Sequence, residues 1–338
     1  MLFSHQREIA LELSKYFEET HVITSDGQFD SSPDNVSVSS TNWSEGKIII
    51  NVLRFYVCAI PVLIKNRKNS VVFFHMVDVQ AFLLAGICKL LGIKNYLWYA
   101  HKASSVYLNL AAPFLTRIFT STPGSCPIKG KRVTPIGQAV KIPSIVDLVP
   151  SLREEPISWY HIGRLDPSKN IDEIILALKE LRKIHPAIKL SIYGKASSNV
   201  TEEYASGLIK NYSTGEFRNW ITFHGELEHS LLESVSLQHD GFIHAYQGSL
   251  DKTLVEAAML KRIIVSANPE FSVEFEGQEQ VANVDVGTLL RYKLEMLYKT
   301  SVATRLECIN HNFELAVREH SMDVWLKRLV SELMEVQQ

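Results

Sequence analysis

A chain of 338 residues with 46% hydrophobic and 21% charged content is long enough for two ordinary domains and too apolar to be disordered. A formal net charge of −2 and a pI near 6.6, without any stripe of interleaved basic and aromatic residues, exclude a nucleic-acid binder held by bulk charge. Four scattered cysteines without metal spacing, no signal-peptide pattern, and apolar runs short of the ~20 residues of a membrane span read as a cytoplasmic, soluble or peripheral protein with reduced thiols.

Short β-rich runs alternate with helical patterns along the whole chain. Gln6–Phe17 reads as a helix and His21–Ser25 as a strand, and the polar stretch Asp26–Gly46 as a long loop. Ile48–Lys65 is mostly apolar and ends in the basic cluster Lys65, Arg67 and Lys68. Strands follow at Val71–His75, Asn95–Ala100, Arg117–Thr122 and Arg132–Pro135, spaced by helices at Val79–Leu91 and Val106–Phe114. After a break near Ile142–Glu155 the alternation restarts. Strands fit Ser158–Ile162, Lys189–Tyr193, Trp220–Phe223, Gly241–His244 and Ile263–Ser266. Helices fit Asp172–His185, Thr201–Asn211, Glu228–Leu237, Thr253–Met259 and Val286–Tyr298, with a last helix at Val324–Val336. Strands separated by helical crossovers form parallel sheets, so the expected class is α/β with two Rossmann-like, doubly wound domains.

The chemistry-bearing residues gather in the second block. Gly163-Arg164-Leu165-Asp166-Pro167-Ser168-Lys169-Asn170 joins a strand to a helix and puts a guanidinium and an ammonium five residues apart. Two fixed cations at the carboxyl end of a strand, beside a helix start, suit a diphosphate. Gly225 closes the strand Trp220–Phe223, either to let backbone approach a flat ligand or as an ordinary turn glycine. Gly248-Ser249-Leu250-Asp251-Lys252-Thr253 opens a helix whose free N–H groups favour anions, and Glu256 lies one turn in, as a ribose ligand or as a surface carboxylate. In the first block His101 follows a strand end, where open α/β sheets place ligands, although a core or loop histidine is the alternative. His75, His161, His224 and His244 read as structural or rim residues.

In order, "GRLDPSKNID", "LSIYGK", "ITFHGELEHSLLESVSLQHDGFIHA" and "GSLDKTLVEAAMLKRIIVS" resemble the donor domain of the retaining glycosyltransferases of family four, the glycosyl transferases group 1. The resemblance implies the GT-B fold, two such domains facing across a cleft, and a metal-independent transfer of a sugar from a nucleotide-diphosphate sugar. It implies that Arg164 and Lys169 hold the diphosphate, that Glu256 holds the ribose, and that Gly248, Ser249 and Leu250 supply backbone donors. His101 would face the transferred sugar. Two departures stand out. Gly248 occupies the position of a second glutamate that contacts the sugar, leaving Asp251 or Lys252 as substitutes, and the opening strand and loop of the first domain are missing.

The expected division is an acceptor-side domain over 1–145, a donor domain over 150–310 and a helical tail over 311–338 that packs back on the first domain. No cofactor and no metal ligand is expected, the nucleotide sugar being a substrate; the partners are that donor and a glycan or lipid-linked acceptor, in surface polysaccharide synthesis. Between Asn35 and Pro150 the count is 13 basic residues against 3 acidic. With Val52–Ile64 that suits either an anionic membrane surface on the cytoplasmic side or a buried crossover helix with a solvated basic end. The alternative to an enzyme is a non-catalytic GT-B subunit that binds a nucleotide sugar or a partner. A nucleotide-sugar epimerase lacks its paired carboxylates.

Overall fold

The computed structural model describes residues 4–25, 32–44, 46–144, 152–278 and 284–334. The first domain begins with α1 (Ser4–Ser14), β1 (Thr20–Thr24), β2 (Val36–Ser40) and α2 (Ile48–Lys65). It continues with β3 (Val71–His75), α3 (Asp78–Leu90), β4 (Lys94–Trp98), α4 (Val106–Ala111), β5 (Arg117–Thr120) and β6 (Val133–Pro135). Strands β3-β4-β5-β6 form one parallel sheet, and β1 and β2 a separate parallel pair. Strand β2 corrects the expectation of an unbroken loop over Asp26–Gly46. Val36 and Val38 alternate with serines, a period-2 pattern too short to stand out in a polar stretch, and β1 supplies the ladder partner. Residues 26–31 and 45 of that stretch lie outside the described residues.

Alternation along the strands divides the interior. Phe74, Leu97 and Ile118 face one side, against Phe55, Ala59 and Leu63 of α2 and the inner faces of α3 and α4. Phe73, Tyr96, Trp98 and Phe119 face the other, against Ile9 and Leu13 of α1.

The second domain runs β7 (Ser158–Ile162), α5 (Ile171–Arg182), β8 (Lys189–Tyr193), α6 (Asn199–Tyr212), β9 (Ile221–Phe223) and α7 (Leu232–Leu237). Then come β10 (Gly241–His244), α8 (Lys252–Met259), β11 (Ile263–Ser266), α9 (Pro269–Phe275), α10 (Val286–Lys299), α11 (Val302–His320) and α12 (Met322–Met334). All its strand pairs are parallel, in the order β11-β10-β7-β8-β9. Trp159, Leu190, Ile192 and Ile243 pack under α5, α6 and α10, while Tyr160, Tyr193 and Phe242 pack under α8, α9 and α11. Helices thus cover both faces, as a doubly wound sheet requires.

The chain then returns. The Met322 N–H donates to the Val140 carbonyl at 2.7 Å and the Val140 N–H to the His320 carbonyl at 2.9 Å. From there α12 lays Trp325, Leu326 and Leu329 on the second face of the first sheet, with Trp325 edge-on to Trp98 at 5.4 Å. The expected break at Ile142–Glu155 falls partly on 145–151, outside the described residues, as do 335–338 of the tail.

Helix α2 is not the buried crossover helix that one sequence reading allowed. Its inner stripe, Asn51, Phe55, Ala59 and Leu63, is buried, but its outer stripe is apolar and open to solvent. Among the described residues it is the one helix long and apolar enough to cross a membrane, judged by length and composition.

Candidate active site

Strand β7 is the first of the second domain's strands and lies between β10 and β8, so crossovers leave it in both directions. The loops after β7 and β10 therefore separate at the carboxyl edge of the sheet and open a crevice. The loop after β7 carries Gly163, Arg164 and Lys169; the loop after β10 runs from Ala245 to Asp251 and enters α8.

Lys169 is buried, on a 3₁₀ turn (Pro167–Lys169) that a left-handed Asn170 (φ 49) hands over to α5. Its ammonium donates to Asp251 Oδ2 and sits 4.1 Å from the centre of the Tyr246 ring. Fully buried His244 donates from Nε2 to the same carboxylate oxygen at 3.2 Å. Burial opposes ionisation of Asp251, but the Lys169 ammonium and His244 outweigh it and hold its carboxyl well below the usual carboxylate range. Arg164 projects into the open, its side chain 60% exposed, with Nε 3.5 Å from buried Asp166.

Across the cleft, His101 stands three residues beyond β4. Its pKa is lowered, by desolvation first and then by the Arg164 and Lys169 charges. The two cations and the imidazole thus share one electrostatic environment although they come from different domains.

Glu256 is buried one turn into α8. It accepts from His229 Nε2 at 3.0 Å, and Lys252 Nζ lies 3.4 Å from the same oxygen. The hydrogen bond to Glu256 raises the His229 pKa. Gly225 adopts φ +75 and has no atom within 4 Å of where a Cβ would be, so it keeps a left-handed turn beside open space.

The loop before α8 differs in part from its sequence reading. The Leu250 N–H, expected to face a ligand, donates to Ser125 Oγ of the first domain at 3.0 Å. Ser249 is buried, and its carbonyl accepts from Asn268 Nδ2 at 3.0 Å. The Thr253 N–H points at the Asp251 carboxylate at 3.4 Å, because Asp251 is the N-cap of α8. That carboxylate is therefore an ion-pair partner and helix cap in this structure. A Cβ on Gly248 would overlap the end of the Tyr246 ring, so the phenol covers the place where the resemblance puts a glutamate.

Several residues here were missed from the sequence or read as structural. His229 lies within the third motif but has no role in the sequence reading, Tyr246 lies just beyond that motif, and His244 reads as a structural or rim residue. Asp166 lies within the first motif but gained its role only from the fold. The domains also meet beside the crevice, where Lys102 Nζ lies 2.9 Å from Glu270 Oε1 and Thr122 Oγ1 donates to Glu270 Oε2 at 2.7 Å. Among the described residues no cluster of three or more His, Cys, Asp or Glu has metal-site geometry.

Residues 149–286 match the family described as Glycosyl transferases group 1. No curated protein matches the chain by sequence. Solved structures of glycosyltransferases match it by shape. The sucrose-phosphate synthase of Thermosynechococcus elongatus is 10% identical with a TM-score of 0.76, over 98% of this chain and 92% of that one. Anabaena Alr3699/HepE, solved with UDP, is 13% identical with a TM-score of 0.72, over 98% and 96%. The pneumococcal O-GlcNAc transferase GtfA, solved with UDP and GlcNAc, is 15% identical with a TM-score of 0.60; 83% of this chain aligns, and it spans 60% of that protein's length. Likeness at such low identity establishes the fold: two Rossmann-like α/β domains in the GT-B arrangement, the second carrying the group 1 segment.

Proposed function

We propose that this protein is a retaining glycosyltransferase that moves a hexosyl group from a nucleotide-diphosphate sugar to a hydroxyl of a glycan or lipid-linked acceptor, without a metal, in surface polysaccharide synthesis on the cytoplasmic side. One observation carries the reading. Arg164 and Lys169 lie in the loop after β7, the strand from which crossovers leave in both directions; their charges reach His101 of the first domain, and Lys169 pairs with Asp251, the cap of the helix that carries buried Glu256. Breaking a glycosidic bond leaves positive charge on the sugar and negative charge on the departing diphosphate. Exposed Arg164 is free to swing onto that diphosphate, and Lys169, steadied by Asp251 and Tyr246, offers a fixed charge. Glu256, oriented by His229, offers acceptor oxygens to a ribose. The UDP in the Anabaena and pneumococcal structures makes UDP-sugars the first donors to try.

The test is nucleotide release from UDP-sugars by the wild-type chain and by Arg164→Ala. The reading expects turnover that falls by about 10²–10³-fold in the variant, the usual effect of removing one charge-stabilising group. Background release from both chains contradicts it. The second reading, a GT-B subunit that binds the donor without turnover, is favoured by the Tyr246 ring lying over Gly248 in place of a carboxylate. It expects Arg164-dependent binding with no release.

A further inference from the structure

We propose that the outer face of α2 is a docking surface for an anionic lipid bilayer, on which the helix lies parallel to the membrane plane. The inference uses neither the cleft nor its chemistry, so it stands or falls apart from the transferase reading. With its inner stripe on the domain core, ordinary amphipathicity would place polar residues on the outside. The outside instead carries Ile49 (77% exposed), Ile50, Leu53 (59%), Val57 (73%), exposed Pro61 and Ile64. These recur every three or four residues, which is one stripe of a helix. The helices that share its core cluster also expose apolar residues, Leu90 of α3 and Val106 and Leu110 of α4. Tyr56 ties α2 to α3, its hydroxyl donating to the Leu83 carbonyl at 3.2 Å. Exposed apolar surface on this scale marks a contact site.

Charge identifies the partner. Lys47 precedes the helix, Arg54 lies beside the stripe, and Lys65, Arg67 and Lys68 cluster at its end; all are exposed. From Gly46 to Val77 there is no Asp or Glu. Cations at both ends of an exposed apolar helix face match a negatively charged lipid surface, where side chains enter the acyl boundary and ammonium groups stay with the headgroups. They argue against a second copy of the chain, because pairing two α2 faces would bring these cations together.

Vesicle flotation of the full chain tests this, with phosphatidylcholine vesicles and with phosphatidylcholine mixed with phosphatidylglycerol. The chain is expected to float with the anionic vesicles at low salt, to bind neutral ones roughly tenfold less or worse, and to be released by high salt. The double variant Leu53→Glu, Val57→Glu changes only exposed positions. It should lose flotation with an unchanged melting temperature. The variant Lys65→Gln, Arg67→Gln, Lys68→Gln should weaken anionic binding by about fivefold per charge. The proposal is overturned by no flotation, by equal flotation with neutral vesicles, or by full binding of the Glu variant. It is likewise overturned by a concentration-dependent dimer that the Glu variant dissolves, which would assign the face to a second copy.

Discussion

Lys169 is held by groups of opposite demand: the Asp251 carboxylate fixes its charge, while the Tyr246 ring screens it from water. Gly248 keeps that ring in place, since a Cβ there would overlap the far end of the phenol. Gly248→Ala is therefore expected to turn the ring off the ammonium and cost about 1 kcal/mol, the size of a partly buried cation–π contact. In a Tyr246→Ala background the same change should cost almost nothing, so a double-mutant cycle read by chemical unfolding gives a coupling near 1 kcal/mol. Equal costs in both backgrounds would separate Gly248 from Tyr246. Lys169→Ala is a harsher change. It leaves the Asp251 carboxylate with His244 and Thr253 but no cation in a confined site, and a loss of about 3 kcal/mol is expected in the same measurement. Arg164→Ala, at an exposed position, should shift stability by no more than about 0.5 kcal/mol. The positions of Arg164, Lys169 and Glu256 were legible because each lies within a short motif next to a strand end. His229, His244 and Tyr246 were not, because their partners lie 27, 7 and 77 positions away in the chain and only folding brings them together.

At the scale of elements, strands buried on both faces announced themselves as continuous apolar runs such as Val71–His75 and Ser158–Ile162. Strand β2 escaped notice because its outward positions are serines and its pairing with β1 is a tertiary matter. Helix α11 was not read because its buried side is interrupted by polar and charged residues, one of them the buried Arg305, which donates from Nη1 to the Glu154 carbonyl at 2.7 Å. The apolar pattern of the last helix was plain, while its landing place on the first domain is fixed by contacts of Trp325 with Trp98 and Phe73. Trp325 is fully buried there, so Trp325→Ala should destabilise the first domain by about 3–5 kcal/mol. Its melting should then separate from that of the second domain in calorimetry. A single transition at the wild-type temperature would show that α12 contributes little to the first domain.

Across the whole molecule, three buried histidines link stability to acid. Burial pushes His75 down to about 4, His161 to about 3 and His320 to about 4. Unfolded, each titrates near 6.5. Between those limits the unfolded chain binds more protons than the folded one, so stability is full above about pH 6.5 and falls as pH drops toward 4. Each histidine contributes a slope of up to about 1.4 kcal/mol per pH unit. Denaturant midpoints at pH 7.5 and pH 5 should differ accordingly, and His161→Phe should flatten part of the slope. A pH-independent midpoint across that window would mean that these rings find partners or water.

The GT-B fold places both lobes around one crevice, and the account rests on a nucleotide diphosphate binding there. Calorimetric titration of UDP, GDP and ADP into the wild-type chain and into Arg164→Ala tests this most directly. The prediction is that at least one diphosphate binds the wild type and that the variant weakens it tenfold or more, about 1.4 kcal/mol. Binding of none of the three, or equal affinity for both chains, would contradict it.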